Sequence, residues 1–248
     1  MGRPRSIASV FSRIGNFLTM SNVDDDSANS QDWPEERMRV LLLAVTVEGG
    51  LIALAVAIGY FTATPPLTKF VWSATAVLEG VLATVPLVGA FYLIMRWPLG
   101  PLAGIKRFSE QVLRPMLRGC SVIDLLGIAV LAGLGEEMLF RGALQGSLQH
   151  WMALWLAVLI SSAFFGLMHA VTALYAVLAA IIGAFFGLVY WYTDNLLVVA
   201  IAHALYDFLA LLYLMRGPGS PGAAAALGRA ESVSGRRTPK NLENHFGR

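Results

Sequence analysis

Six apolar runs, approximately 40–61, 71–95, 122–140, 152–169, 173–192 and 196–215, dominate the chain, with short polar stretches between them. Each is close to the twenty or so residues a helix needs to cross hydrocarbon. None alternates with period 2 as a barrel strand does. A segment surrounded by lipid must also satisfy its own backbone N–H and C=O groups. The pattern therefore predicts an all-α fold, a polytopic transmembrane helical bundle of six crossings, with seven as the alternative count. Small residues recur inside the runs, and the spacing of Gly183 and Gly187 lets helix backbones approach closely.

The flanking stretches divide the chain into four parts. Residues 1–39 read as a polar cytoplasmic arm. Within it Arg3, Arg5 and Arg13, with Ile7, Val10, Phe11, Ile14 and Phe17 near helical spacing, suit an interfacial helix on an anionic surface. Residues 40–119 hold two transmembrane helices and a basic loop, 120–215 hold four further segments, and 216–248 form a basic tail rich in Gly, Ala, Pro and Ser, expected to be disordered. Arg96, Lys106, Arg107, Arg114 and Arg118 crowd one loop, whereas the loop at Thr64-Pro65-Pro66 offers only Lys69. Basic loops stay on the cytoplasmic side, so six crossings place both termini there. Trp151, Trp155, Tyr190, Trp191 and Tyr192 lie near segment ends, where amphipathic rings anchor at the interface.

Composition agrees with a bilayer as the main solvent. Of 248 residues, 56% are hydrophobic and 14% charged, against roughly 25% charged in soluble domains. Mean hydropathy is +0.64. The net charge of +2 is spread between apolar runs rather than gathered in a stripe, which argues against a nucleic-acid partner. With a single cysteine, Cys120, neither an intrachain disulfide nor a Cys-based zinc cluster can form.

Against this background a few charges stand out. Between Gly119 and Met215 the charged side chains are Asp124, Glu136, Glu137, Arg141, Asp194 and Asp207. Asp124 and Asp194 fall at segment edges, within reach of water. The other four lie in or at the end of apolar runs, where an Asp or Arg at the helix centre costs roughly 2.5–3.5 kcal/mol on insertion scales. Glu137 and Arg141 are one turn apart and can pair on one face. Glu136 points elsewhere, is left without that arginine, and is the candidate to accept a proton from water. His169 ends the pattern Phe165-Gly166-Leu167-Met168-His169. His203 and Asp207 share a helix face four residues apart. A neutral imidazole can pass a proton, ligate a divalent metal or donate to an oxyanion, and Asp207 can fix the ring of His203 or act as a further ligand. A lone buried histidine or a Glu–Arg pair is most often structural, but here two of the four histidines and four of six charges fall into three patterns on three segments. Glu48 and Glu79 are further intramembrane carboxylates outside them.

Glu-Glu-x-x-x-Arg, then Phe-x-x-x-His, then His-x-x-x-Asn/Asp is the motif set of the CAAX protease and bacteriocin-processing enzyme family, and residues 120–215 resemble it, including its type II CAAX prenyl endopeptidases. The resemblance implies an intramembrane endopeptidase acting on a peptide or lipidated protein at the membrane, with Glu136 and His169 activating the attacking water. Glu137 and Arg141 would support them, and His203 and Asp207 would stabilise the oxyanion. The family is described both as metal-dependent and as metal-free. A divalent ion such as Zn2+, held by Glu136, His169, His203 and Asp207, is therefore left open. The prenyl proteases commonly carry Asn where this chain has Asp207. An anionic carboxylate is a poorer oxyanion donor than an amide and a better metal ligand.

Two rival functions remain at this level. One is a non-proteolytic membrane scaffold or immunity protein of the same fold. The other is a proton or ion transporter, for which Glu48 and Glu79 are the main support, though no pair of short broken segments in corresponding halves accompanies them. One tension concerns depth. Counting about 1.5 Å per residue places His169 nearer the cytoplasmic side than Glu136 and His203, unless a helix starts later than Trp151 or deviates near Gly133, Gly135, Gly142 or Gly166.

Overall fold

The computed structural model describes residues 33–216, all of whose regular elements are helical. The interfacial helix expected before residue 33 and the tail beyond 216 lie outside the described residues. Helix α1 spans Trp33–Phe61 and α2 spans Ala74–Arg96. A short arm follows, made of α3 (Leu102–Phe108), a π-helical turn (Ser109–Leu113) and one α-turn (Arg114–Met116). Helix α4 (Val122–Glu137) continues without a break through a π-helical stretch (Met138–Gln145) into Gly146–Leu148. Helices α5 (Leu154–Met168), α6 (Ala173–Thr193) and α7 (Leu196–Arg216) complete the bundle.

These elements coincide with the six apolar runs. By length and composition four of them, α1, α2, α6 and α7, can cross a membrane, and α5 is a shorter apolar helix of 15 residues. Two boundaries differ from the sequence reading. The first helix is already formed at Trp33, the first described residue, seven residues before the apolar run, with the acidic Glu35 and Glu36 at that end. The 122–140 run ends at Leu148, because the polar side chains of Arg141, Gln145 and Ser147 are buried against other helices and so do not stop it.

Helix ends are fixed by side chains. Ser73 Oγ accepts from Ala76 N (3.0 Å), and Thr172 Oγ1 accepts from Tyr175 N (3.1 Å). Ser121 and Asp124 form a reciprocal capping box at the start of α4. Asp124 also takes two hydrogen bonds from Arg37, at 2.7 and 2.9 Å, which ties the start of α1 to the start of α4. Asp124 is therefore buried and doubly engaged rather than solvated as its place at a segment edge suggested. At the opposite end Asp194 closes α6 in the left-handed region (φ 49°) and pairs with Lys69. Asn195 bonds both the N–H and the C=O of Val71 (3.1 and 2.8 Å).

Lipid is as apolar as leucine, so helix association here rests on close packing and buried hydrogen bonds rather than on expulsion of water. Helix α7 packs on α4 and α2, α1 on α4 and its π stretch, and α5 on α6. Glycines allow the tightest approaches. A Cβ at Gly133 would fall 2.7 Å from Ala204 N, and one at Gly166 would meet Ala176 O at 2.5 Å. Of the proposed aromatic anchors, Trp151, Trp155, Trp191 and Tyr192 are exposed, whereas Tyr190 is 5% exposed and packs in the core beneath Lys69. Gly142 is the position where the 62–73 loop presses on the π stretch, and a Cβ there would collide with Pro66 O and lie 2.9 Å from Pro66 Cα. Gly142→Ala is expected to cost about 1–3 kcal/mol, read as a lower unfolding temperature in detergent. An unchanged temperature would show that the loop gives way freely.

Candidate active site

Glu136 and Glu137 close the α-helical part of α4, and the π stretch that begins at Met138 carries Arg141. Arg141 and Glu137 are fully buried, and Arg141 Nη1 donates to Glu137 Oε1 at 2.9 Å. Removing a guanidinium from water is costly unless its donors are paired, and of the donors of Arg141 the two Nη groups are bonded while Nε has no hydrogen-bond partner among the described residues. Arg141 Nη2 donates to Gly183 O (2.8 Å), and the guanidinium lies over the rings of Phe165 (4.7 Å) and Phe186 (5.3 Å). One turn on, Gln145 Nε2 donates to Gly187 O (3.0 Å). The Gly183 and Gly187 spacing thus does more than admit a neighbouring helix, because it exposes two carbonyls on α6 that side chains of the π stretch grip. Ser161 Oγ donates to Phe140 O (2.7 Å) and so supplies a partner to a carbonyl of the widened turn.

Glu137 Oε1 is shared. His203 Nδ1–H donates to it at 2.8 Å, with the ring stacked on Phe186 at 5.0 Å between centroids. The ring of His203 is therefore fixed by Glu137, not by Asp207 as its i+4 spacing suggested. Asp207 Oδ2 lies 3.5 Å from His203 Nε2, at the limit of hydrogen bonding. His169 follows the last residue of α5, and its Nδ1–H donates to Phe165 O at 2.8 Å, with its ring stacked on Phe165 at 4.6 Å. Both imidazoles thus have Nδ1 engaged and present Nε2 to one point. That point is Glu136 Oε2, 3.7 Å from His169 Nε2 and 4.0 Å from His203 Nε2. Glu136 is 9% exposed, and its Oε2 has no hydrogen-bond partner among the described residues.

The structure brings Glu136, Glu137, Arg141, His169, His203 and Asp207 together, and the depth tension disappears for a visible reason. Because the α4 rod runs on to Leu148, Glu136 lies about 18 Å below its end. His169 follows the 15 residues of α5, about 22 Å below the same end. Helix α7 starts recessed. Leu196 N donates to Lys69 O (2.7 Å), in the loop whose Pro66 sits against Gly142, so His203, about 10 Å further down, reaches the same level.

Sequence reasoning had left Glu48 and Glu79 unassigned. Glu79 is exposed on α2, whereas Glu48 is buried beside Gly135, where a Cβ would lie 3.0 Å from its Oε2, and its carboxyl is within electrostatic reach of His203 and Asp207. Gln145 was missed, although it continues the Glu137, Arg141 spacing of four. The π stretch and the stacking of Phe165 and Phe186 have no sequence signal of their own.

The donor types suit a divalent cation, namely two Nε2 atoms whose Nδ1–H groups are engaged and one free carboxylate oxygen. Their separations of 3.7 and 4.0 Å exceed the roughly 3.3 Å between ligands of a tetrahedral ion with bonds of about 2.0–2.1 Å. Among the described residues no three His, Cys, Asp or Glu side chains are close enough to hold an ion as they stand. The same gaps suit one water touching both sides.

Residues 118–209 match the family model described as type II CAAX prenyl endopeptidase Rce1-like. This is the group that the three motifs resemble, and it supports a general role as a CAAX-type endopeptidase in the membrane. No curated protein and no solved structure matches the chain. The buried Glu137–Arg141 pair generates a test of its own. Arg141→Met strands a buried carboxylate and is expected to cost about 3–5 kcal/mol. Adding Glu137→Gln, whose amide oxygen still accepts from His203, is expected to recover part of that loss in thermal unfolding.

Proposed function

From the Rce1-like match over residues 118–209, we propose that this chain hydrolyses a peptide bond of a membrane-associated peptide or lipidated protein, with Glu136 as the proton acceptor for the attacking water. One observation carries the reading. A buried carboxylate oxygen without a partner faces two imidazole nitrogens across gaps too long for direct bonds and right for a shared water. Held there, the water would lose a proton to Glu136 while His169 Nε2 orients it. Glu137 and Arg141 would hold His203 in place, and His203, when doubly protonated, would offer Nε2–H to the developing oxyanion. Glu136 would then return its proton to the leaving amine.

With the basic 96–118 stretch at the cytoplasmic face, six crossings put both ends of the chain in the cytoplasm. The turn at 169–172 lies at the same end as the arm, since Phe108 touches Tyr175. Substrate would approach from that side. If a divalent ion binds, Glu136, His169 and His203 would hold it, with Asp207 at its margin, and it would supply Lewis-acid activation of the water. A transporter needs its carboxylates along one path, and here Glu48 joins the site while Glu79 is exposed.

Glu136→Gln and His169→Ala are each expected to lower processing at least a hundredfold in liposomes while leaving unfolding temperature unchanged. Comparison of membrane proteomes with wild type and with Glu136→Gln would identify the substrate. Full turnover by either variant rejects the mechanism. Elemental analysis of the purified protein tests the ion separately, and an active protein free of metal excludes the ligand role.

A further inference from the structure

The groups that converge on the shared point are poor in hydrogen-bond donors. Ionised Glu136 and Asp207 only accept. Neutral His169 and His203 spend their single N–H at Nδ1, on Phe165 O and Glu137 Oε1, so each Nε2 is an acceptor. Protonation of His203 adds one donor, for which Asp207 competes at 3.5 Å. The backbone does not fill the gap. The N–H groups of His169, Ala170 and Val171, in the turn beside the site, are bonded to Gly166, Leu167 and His169 carbonyls. A tetrahedral intermediate in such a pocket lacks a second donor for its oxygen.

Tyr175 meets that need. It lies in the first turn of α6, with its N–H held by Thr172 Oγ1 at 3.1 Å. Its ring is placed between His169, 6.5 Å away, and Phe108 of the arm, 6.0 Å away. It is half-buried, and among the described residues its hydroxyl has no hydrogen-bond partner. Its neighbour His169 faces Glu136 through Nε2, so the Tyr175 ring stands beside the point on which the two histidines converge. A phenol with an ordinary pKa of about 10 is a neutral donor near pH 7.

We propose that Tyr175 is a catalytic residue whose O–H donates a hydrogen bond to the oxyanion, filling the place left by having Asp207 rather than an amide on α7. The inference rests on the peptidase reading. When the water oxygen bonds to the peptide carbon, the carbonyl π pair moves onto oxygen, and the water's proton goes to Glu136. Tyr175 keeps its own proton and only shares it with that oxygen. When the C–N bond breaks, the pair returns to form C=O, and the amine leaves with the proton from Glu136. Phe108 becomes the residue by which the arm sets the angle of the Tyr175 ring.

The test uses the full-length protein in liposomes with an internally quenched, lipidated CAAX peptide. Tyr175→Phe is expected to lower kcat about a hundredfold with KM within about a factor of two, as for loss of one oxyanion donor. Adding Asp207→Asn, which brings an amide N–H to the same place, is expected to restore at least tenfold. Tyr213→Phe, whose ring packs on Phe91 at 5.5 Å, is expected to leave kcat unchanged. Unfolding temperature checks that Tyr175→Phe is folded. If folded Tyr175→Phe keeps kcat within about threefold while Glu136→Gln is inactive, or if Asp207→Asn restores nothing, the inference is overturned and the peptidase reading stands. No cleavage by wild type, or full cleavage by Glu136→Gln, overturns both.

Discussion

Everything in the site depends on one carboxylate oxygen. Glu137 Oε1 accepts from Arg141 at 2.9 Å and from His203 at 2.8 Å in a fully buried place, and it is the only point where α4 and α7 exchange a charged hydrogen bond among the described residues. A buried ion pair is weak support for stability in itself, because desolvation offsets most of its attraction. Its value here is in geometry. The guanidinium fixes the carboxylate, the carboxylate fixes the imidazole, and the imidazole's remaining nitrogen is thereby aimed at Glu136. Arg141 could not serve alone. It also needs Gly183 O and the faces of Phe165 and Phe186, which come from α6 and α5.

The two adjacent glutamates show how environment divides labour between identical side chains. Glu137 turns into the bundle, where its Oε1 takes both a guanidinium and an imidazole N–H and its Oε2 has no partner among the described residues. Glu136, about 100° further round the helix, meets no cation and no N–H, and its Oε2 stays unpartnered. A buried acceptor without a partner costs about 1–3 kcal/mol. A bundle held by packing rather than by expelled water can sustain that cost, and the proposed role of Glu136 gives that oxygen a use.

Much of this was legible in the sequence, and the limits have physical causes. Apolar runs of membrane length announced all six long helical segments, because lipid leaves the backbone no alternative to self-bonding. Spacings of four announced that Glu137 would face Arg141. What the sequence could not carry were distances between helices. The i+4 relation of His203 and Asp207 suggested that Asp207 would orient the ring, yet Glu137 from another helix does so, because a tertiary hydrogen bond of 2.8 Å outcompetes a contact of 3.5 Å along one helix. Depth counting failed for a related reason. It ended the α4 run at residue 140, since Arg141 and Gln145 look like a polar boundary, whereas both are buried and bonded to Gly183 and Gly187. Tyr190, taken for an interfacial anchor, is a core residue, because Lys69 covers it where water would otherwise stand.

The arm between α2 and α4 connects the parts of the chain inside and outside the matched residues. It carries Phe108 against Tyr175, with Arg114 Nε donating to Leu214 O at 2.8 Å near the end of α7. The hydrolytic role proposed for this site sets two opposed demands, since such a reaction needs water and the bundle must keep lipid-facing surfaces dry. In this chain the cluster is exposed at its margin, where Asp207 of α7 keeps 30% of its side chain exposed. Glu136, Glu137 and His203 are buried, and His169, at the end of the shortest apolar helix, keeps 28% of its side chain exposed. Helix α5 stops at Met168, and His169 lies at the end of the bundle where the arm packs, through Tyr175 and Phe108. That helix starts at Leu154, later than Trp151, and its 15 residues bring His169 to the level of Glu136.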